Sequence, residues 1–161
     1  MRHARRNVGC AVVTVSDSRT EETDSSGRVI IDRLRGAGHR VIEYAIVPDS
    51  FEQIQAMMRA LLERDEVEVI ILNGGTGITR RDVTVEAVAS FFDKRLEGFG
   101  ELFRHLSYEE IGPAAIMSRA CAGLAVGRII ICLPGSTGAV VMAMERIILP
   151  QIGHMVLEAT K

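Results

Sequence analysis

Four apolar runs, each ending in a polar or glycine-rich segment, constrain this chain more than any other feature. Residues 8–15, 41–47, 67–72 and 129–133 are rich in Val, Ile and Leu, with little of the polar alternation of a half-exposed strand. Continuous runs of this length fit strands covered on both faces, as in a parallel sheet. The intervening stretches have helical spacing. Ile30 and Leu34 share one side of a helix over 27–36, which Gly36 and Gly38 close. Ser50 and Gln53 have capping-box spacing ahead of a helix whose face carries Phe51, Ile54, Met58 and Leu61. Thr84 is expected to cap a helix containing Val85, Val88 and Phe92, and Phe99, Leu102, Phe103 and Leu106 mark another over 99–106. A turn is expected at Gly123, and one or two helices from residue 139 finish the chain, with Pro150 at a junction or kink.

Strands alternating with helices imply a three-layer α/β/α fold with a mostly parallel sheet. The 161 residues fit one domain over 8–161, preceded by a flexible basic tail over 1–7. Arg2, Arg5 and Arg6 before an apolar run resemble a signal peptide. The run is too short, however, and Asp17, Arg19, Glu21 and Glu22 follow it instead of a small-residue cleavage site. No stretch reads as long enough to span a bilayer. Cys10, Cys121 and Cys132 form neither a disulfide framework nor a metal motif and fit a reducing cytoplasm. A net charge of -2 removes any general attraction to nucleic acid or acidic lipid, yet leaves room for a local anion site built from backbone amides.

Such a site is expected where the strands end, since open α/β sheets bind ligands at their C-terminal rim. Gly74, Gly75, Thr76 and Gly77 follow the third strand, where consecutive glycines permit positive φ and close approach to phosphate or carboxylate oxygens. The bland reading is a tight turn. Neither a P-loop lysine nor the third glycine of a dinucleotide fingerprint follows. Pro134, Gly135 and Ser136 repeat the logic after the last strand, with an N-capping turn as the alternative. Asp82 beside a phosphate site invites Mg²⁺, or is a residue favoured by a helix dipole; Asp49 has the same ambiguity next to Pro48. Asp17, between Ser16 and Ser18, is a third acid at a strand end, and the three could share one Mg²⁺. Arg80 and Arg81 could neutralise phosphate, and Arg119 is a possible anion contact. The histidines have no ligand spacing, so zinc has no support.

Taken together, Val12-Val13-Thr14-Val15-Ser16-Asp17-Ser18, Asn73-Gly74-Gly75-Thr76-Gly77, Arg81-Asp82-Val83-Thr84 and Leu133-Pro134-Gly135-Ser136 resemble the MoaB/MogA family of molybdenum cofactor biosynthesis proteins over nearly the whole chain. Gly98-Phe99-Gly100-Glu101-Leu102-Phe103 and Leu106-Ser107-Tyr108-Glu109-Glu110-Ile111-Gly112 are similar to its MoaB branch. The resemblance implies a molybdopterin-binding fold, with adenylyl transfer from Mg-ATP to the terminal phosphate of molybdopterin. It implies roles for Asp49 and Asp82 in catalysis and Mg²⁺ binding. It also implies ligand contacts from Ser16, Asp17, Ser18, Gly74, Gly75, Thr76, Gly77, Arg81, Pro134, Gly135 and Ser136. A molybdopterin-binding or carrier protein without that activity is the alternative. Assembly as a trimer, or as a hexamer of two trimers, is implied as well, and the stripe through Phe99, Leu102, Phe103 and Leu106 is either a subunit interface or ordinary core.

Overall fold

The computed structural model describes residues 7–161, so the basic stretch before Asn7 lies outside the described residues. Six strands form one sheet: β1 (Gly9–Val15), β2 (Arg40–Val47), β3 (Val69–Asn73), β4 (Lys94–Arg95), β5 (Cys121–Ala125) and β6 (Arg128–Leu133). Their order across the sheet is β2-β1-β3-β6-β5-β4. The first four strands in that order pair in parallel, while β5 is antiparallel to both its neighbours. All seven residues of β1 and all five of β3 are buried, as expected for strands with both faces covered.

The alternation of side chains along these strands divides the core in two. Val12, Ile71, Ile129 and Ile131 face one layer, formed by α1 (Ser25–Gly36), α4 (Glu97–Ile111) and the C-terminal helix. Val13, Ile70, Leu72 and Ile130 face the other, formed by α2 (Phe51–Leu62) and α3 (Thr84–Ala89). The three-layer α/β/α architecture expected from the sequence is therefore the one observed.

Several local expectations need correction. Thr84 is the first residue of α3, not its side-chain cap; its hydroxyl instead donates to Gly74 O at 2.8 Å. The helix also stops before Phe92. Gly123 lies within β5, where a Cβ would meet the Phe92 ring at 2.6 Å. The turn falls three residues later, at Val126 and Gly127, both left-handed with φ of 50° and 76°. A two-residue hairpin demands that conformation, and glycine supplies it at only one of the two positions. The helix over 99–106 extends in both directions to become α4. Phe99, Phe103 and Leu106 of its stripe are buried in the core, whereas Leu102 is exposed.

The C-terminal helix comprises α5 (Thr137–Ala143), a π segment (Met144–Ile148) and α6 (Leu149–Ala159). Pro150 lies in the first turn of α6, and the wide turn before it, with Leu149 N donating to Met144 O, accommodates a residue that has no N–H. This 23-residue helix is long and apolar enough to cross a bilayer, contrary to the sequence expectation. Val140, Met144, Ile147, Ile148, Ile152 and Val156 are buried in the core, which accounts for its apolar character.

Candidate functional site

Strand order reverses at β1: the chain moves from β1 to β2 on one side, then crosses to β3 on the other. The crevice between the C-terminal ends of β1 and β3 is thus the topological switch point, where such sheets bind ligands. Loops after β1 and β3 form its walls, with those after β2 and β6 alongside.

The loop after β3 is built on two glycines. Gly74, at φ 99°, passes so near the end of β1 that a Cβ would lie 2.3 Å from Val15 O. Gly75, at φ 71°, packs against Thr84, and a Cβ there would also lie 3.3 Å from Asp49 Oδ1. Both features exclude side chains. A Cβ at Gly77 would be 2.8 Å from Asp82 Oδ2. Bare backbone therefore runs beside both acids that the sequence singled out. Asp82 closes its own turn, its Oδ2 accepting from Thr79 N at 2.9 Å and Thr79 Oγ1 at 2.8 Å. Burial pushes the Asp49 carboxyl above its ordinary value, and the charge of Asp82 adds to the effect. The two acids are therefore close enough to repel, an arrangement that a cation between them would relieve.

Asp17 belongs to the same rim but in a different role. Its Oδ1 accepts from Asp49 N at 2.9 Å, and its other oxygen is paired with Arg81. Among the described residues no group of three or more acids, histidines or cysteines is arranged around a common metal position, so three acids sharing one ion is not the geometry present. Ser16 shapes the loop, its Oγ accepting from Ser18 N at 3.2 Å and Arg19 N at 3.1 Å, while Ser18 is exposed. Thr76 is buried at 3% exposure and turns into the protein.

The loop after β6 abuts the one after β3. Gly74 N donates to Leu133 O at 2.9 Å, and a Cβ on Gly135 would lie 3.5 Å from Gly74 Cα. Ser136 caps α5 by accepting from Ala139 N at 3.5 Å, leaving Pro134 and Gly135 partly exposed on the rim. Loops carrying Asp17, Asp49, Gly75 and Gly135 are thereby held around one crevice.

The molybdopterin-binding domain model, described as a probable molybdopterin binding domain, matches residues 11–154. The chain belongs to this family. Molybdenum cofactor biosynthesis protein B of Bacillus cereus is 49% identical over 158 residues, covering 98% of this chain and 94% of the relative. A crystal structure of a molybdenum cofactor biosynthesis protein B superposes with a TM-score of 0.93 at 49% identity, covering 97% of this chain and 98% of that one. The tungsten cofactor synthesizing protein MoaB of Pyrococcus furiosus superposes at 0.86 with 38% identity, covering 98% and 100% of the two chains. The MoaB/MogA resemblance read from the motifs is therefore borne out.

In this member of the molybdopterin-binding family, a buried polar network beneath the rim escaped the sequence reading. Asp24, 2% exposed, accepts from Thr14 Oγ1 at 2.6 Å, Tyr44 Oη at 2.5 Å, Gly27 N at 3.0 Å and Arg19 Nη1 at 3.2 Å. Burial alone would raise its carboxyl, but these donors outweigh it and hold the group below its ordinary value. Asn73 bridges β1 and α1, donating to Thr14 Oγ1 at 2.9 Å and accepting from Ser26 Oγ at 2.8 Å. Arg19 also donates to Gly135 O at 3.1 Å, tying the first loop to the last. Asp24 is an N-capping residue type at the head of α1, and that was the available signal.

Arg119, a possible anion contact from the sequence, braces the glycine loop in the fold. Its amide donates to Thr76 O at 2.9 Å, its Nε to Gly77 O at 2.8 Å and its Nη2 to Asp82 O at 3.2 Å, while Glu86 engages both terminal nitrogens. The glycine loop is thus held from below by one guanidinium with its charge already matched.

Proposed function

We propose that this protein acts in molybdenum cofactor biosynthesis, transferring the adenylyl group of Mg-ATP to the terminal phosphate of molybdopterin. The observation that carries this reading is the pair of acids beside bare glycine backbone: Asp49 against Gly75 and Asp82 against Gly77. Two repelling carboxylates next to a loop suited to phosphate fit a site for Mg²⁺, which commonly takes one or two carboxylates and completes its shell with substrate phosphates and water. Asp49 and Asp82 would hold the ion that arrives with ATP. That ion would supply charge neutralisation on the phosphates.

The reaction asks little else of the protein. A molybdopterin phosphate oxygen attacks the α-phosphorus of ATP; the new O–P bond forms as the bond to pyrophosphate breaks. The attacking monoester is ionised at neutral pH, so no general base is required, and positioning with charge stabilisation carries the catalysis. Gly74, Gly75 and Gly77 let the nucleotide phosphates approach the backbone. Pro134, Gly135 and Ser136, ahead of the α5 N-terminus, take the molybdopterin side. Arg81, now paired with Asp17, is close at hand for a phosphate entering the crevice.

Asp82→Ala tests this reading. It is expected to abolish adenylylated molybdopterin while molybdopterin binding, followed by fluorescence, persists. If the wild-type protein binds molybdopterin without forming product, the alternative of a binding or carrier protein replaces it. The same proposal includes homo-oligomeric assembly. Tyr108, Ile111, Ile116 and Met117 form an exposed apolar run at the end of α4 and beyond, of the kind a second copy would cover.

A further inference from the structure

The spacing of the three cysteines in the sequence suggests neither a disulfide framework nor a metal motif, yet the fold places two of them opposite one another. Antiparallel pairing of β5 with β6 sets Cys121 directly across from Cys132. Residues so paired project on the same face with Cα atoms ~4.5–5.5 Å apart, within the ~4.4–6.8 Å that a disulfide spans. All three cysteines are free thiols. Cys132 is fully buried and Cys121 partly exposed, so solvent reaches one member of the pair.

Their surroundings are unequal as well. The Cys132 thiol favours the ionised form of Cys121 and draws its pKa down against the effect of burial, with Arg95, Arg104 and Arg119 contributing in the same direction. Cys132 is pushed up by its neighbour and by burial. Cys10 has no such partner, and burial pushes it up to about 12. A partly exposed cysteine in a cationic setting with a second thiol across the strand pair is the arrangement of a reactive cysteine and its resolving partner.

We propose that Cys121 and Cys132 form a peroxide-reactive dithiol that closes to a cross-strand disulfide. The Cys121 thiolate attacks an oxygen of hydrogen peroxide; an S–O bond forms, the O–O bond breaks and hydroxide leaves. The Cys132 sulfur then attacks Cys121, forming the S–S bond as the S–O bond breaks, and its proton leaves with the departing oxygen as water. In sum two thiols are oxidised and one peroxide is reduced to two waters. The bridge would join the start of β5, just after Arg119, to the end of β6, just before the rim loop that begins at Pro134.

The test is hydrogen peroxide treatment of the full-length native protein, followed by intact mass and a non-reducing peptide map. The expected result is a loss of two hydrogens and a single Cys121–Cys132 linkage reversed by dithiothreitol, with Cys121 reacting about tenfold or more faster than Cys10. Cys132→Ala, folded by circular dichroism, is expected to stop at a sulfenic acid on Cys121 that dimedone traps. A linkage through Cys10, or Cys121 oxidised beyond the sulfenic state in the wild type with no linkage, would overturn the proposal. Because neither readout involves molybdopterin or ATP, the outcome is independent of the proposed activity.

Discussion

Asp49 carries the unfavourable electrostatics of the site. Its raised carboxyl means that the folded protein holds this proton more tightly than the unfolded chain, so its contribution to stability falls as pH rises from the ordinary aspartate value through the raised one. Asp49→Asn is therefore expected to lose adenylyl transfer with no fall in Tm at pH 7, and to flatten that part of the Tm–pH profile. A large fall in Tm would mean that Asp49 is structural. Asp24 has the opposite sign. Its stabilisation is present above the ordinary aspartate value and is lost as pH falls through the lower value of the folded state. Asp24→Ala would leave Thr14, Tyr44 and Arg19 without their buried acceptor, at a cost of about 3 kcal/mol, to be read by urea unfolding. Asp49 and Asp82 were legible in the sequence because strand ends and motif order mark them. Asp24 was not, because its meaning comes from Tyr44 on β2 and Arg19 in a loop.

Elements were legible wherever one strong local signal governed them. The four apolar runs became four parallel strands, and Ser50 caps α2 as its spacing indicated. Misreadings arose where tertiary contact overrides the local signal. Gly123 looks like a turn but makes room for the Phe92 ring, which pushes the reversal to Val126 and Gly127. Val126, β-branched and 66% exposed, holds φ at 50°, a conformation that asparagine adopts readily. Val126→Asn is expected to stabilise the protein by about 1 kcal/mol in chemical unfolding, without altering ligand binding at the opposite end of β6. Unchanged or reduced stability would show that Val126 is not strained.

The molecule as a whole assembles its site from loops far apart in sequence, which is why single motifs suggested it and only topology located it. The reversal of strand order at β1 brings together the loops after four strands, and Arg19 and Arg119 tie those loops to each other and to the framework. Assembly belongs to the same scale. Light scattering is expected to give a trimer or hexamer, and Ile116→Asp, at an 82% exposed position, is expected to shift it toward smaller species; a monomeric wild type would contradict this. The central claim is the chemistry at the crevice, and incubation of purified protein with molybdopterin and Mg-ATP tests it most directly. Adenylylated molybdopterin with matching pyrophosphate, lost in Asp82→Ala, is the predicted result. Folded protein that binds molybdopterin yet forms neither product would contradict it.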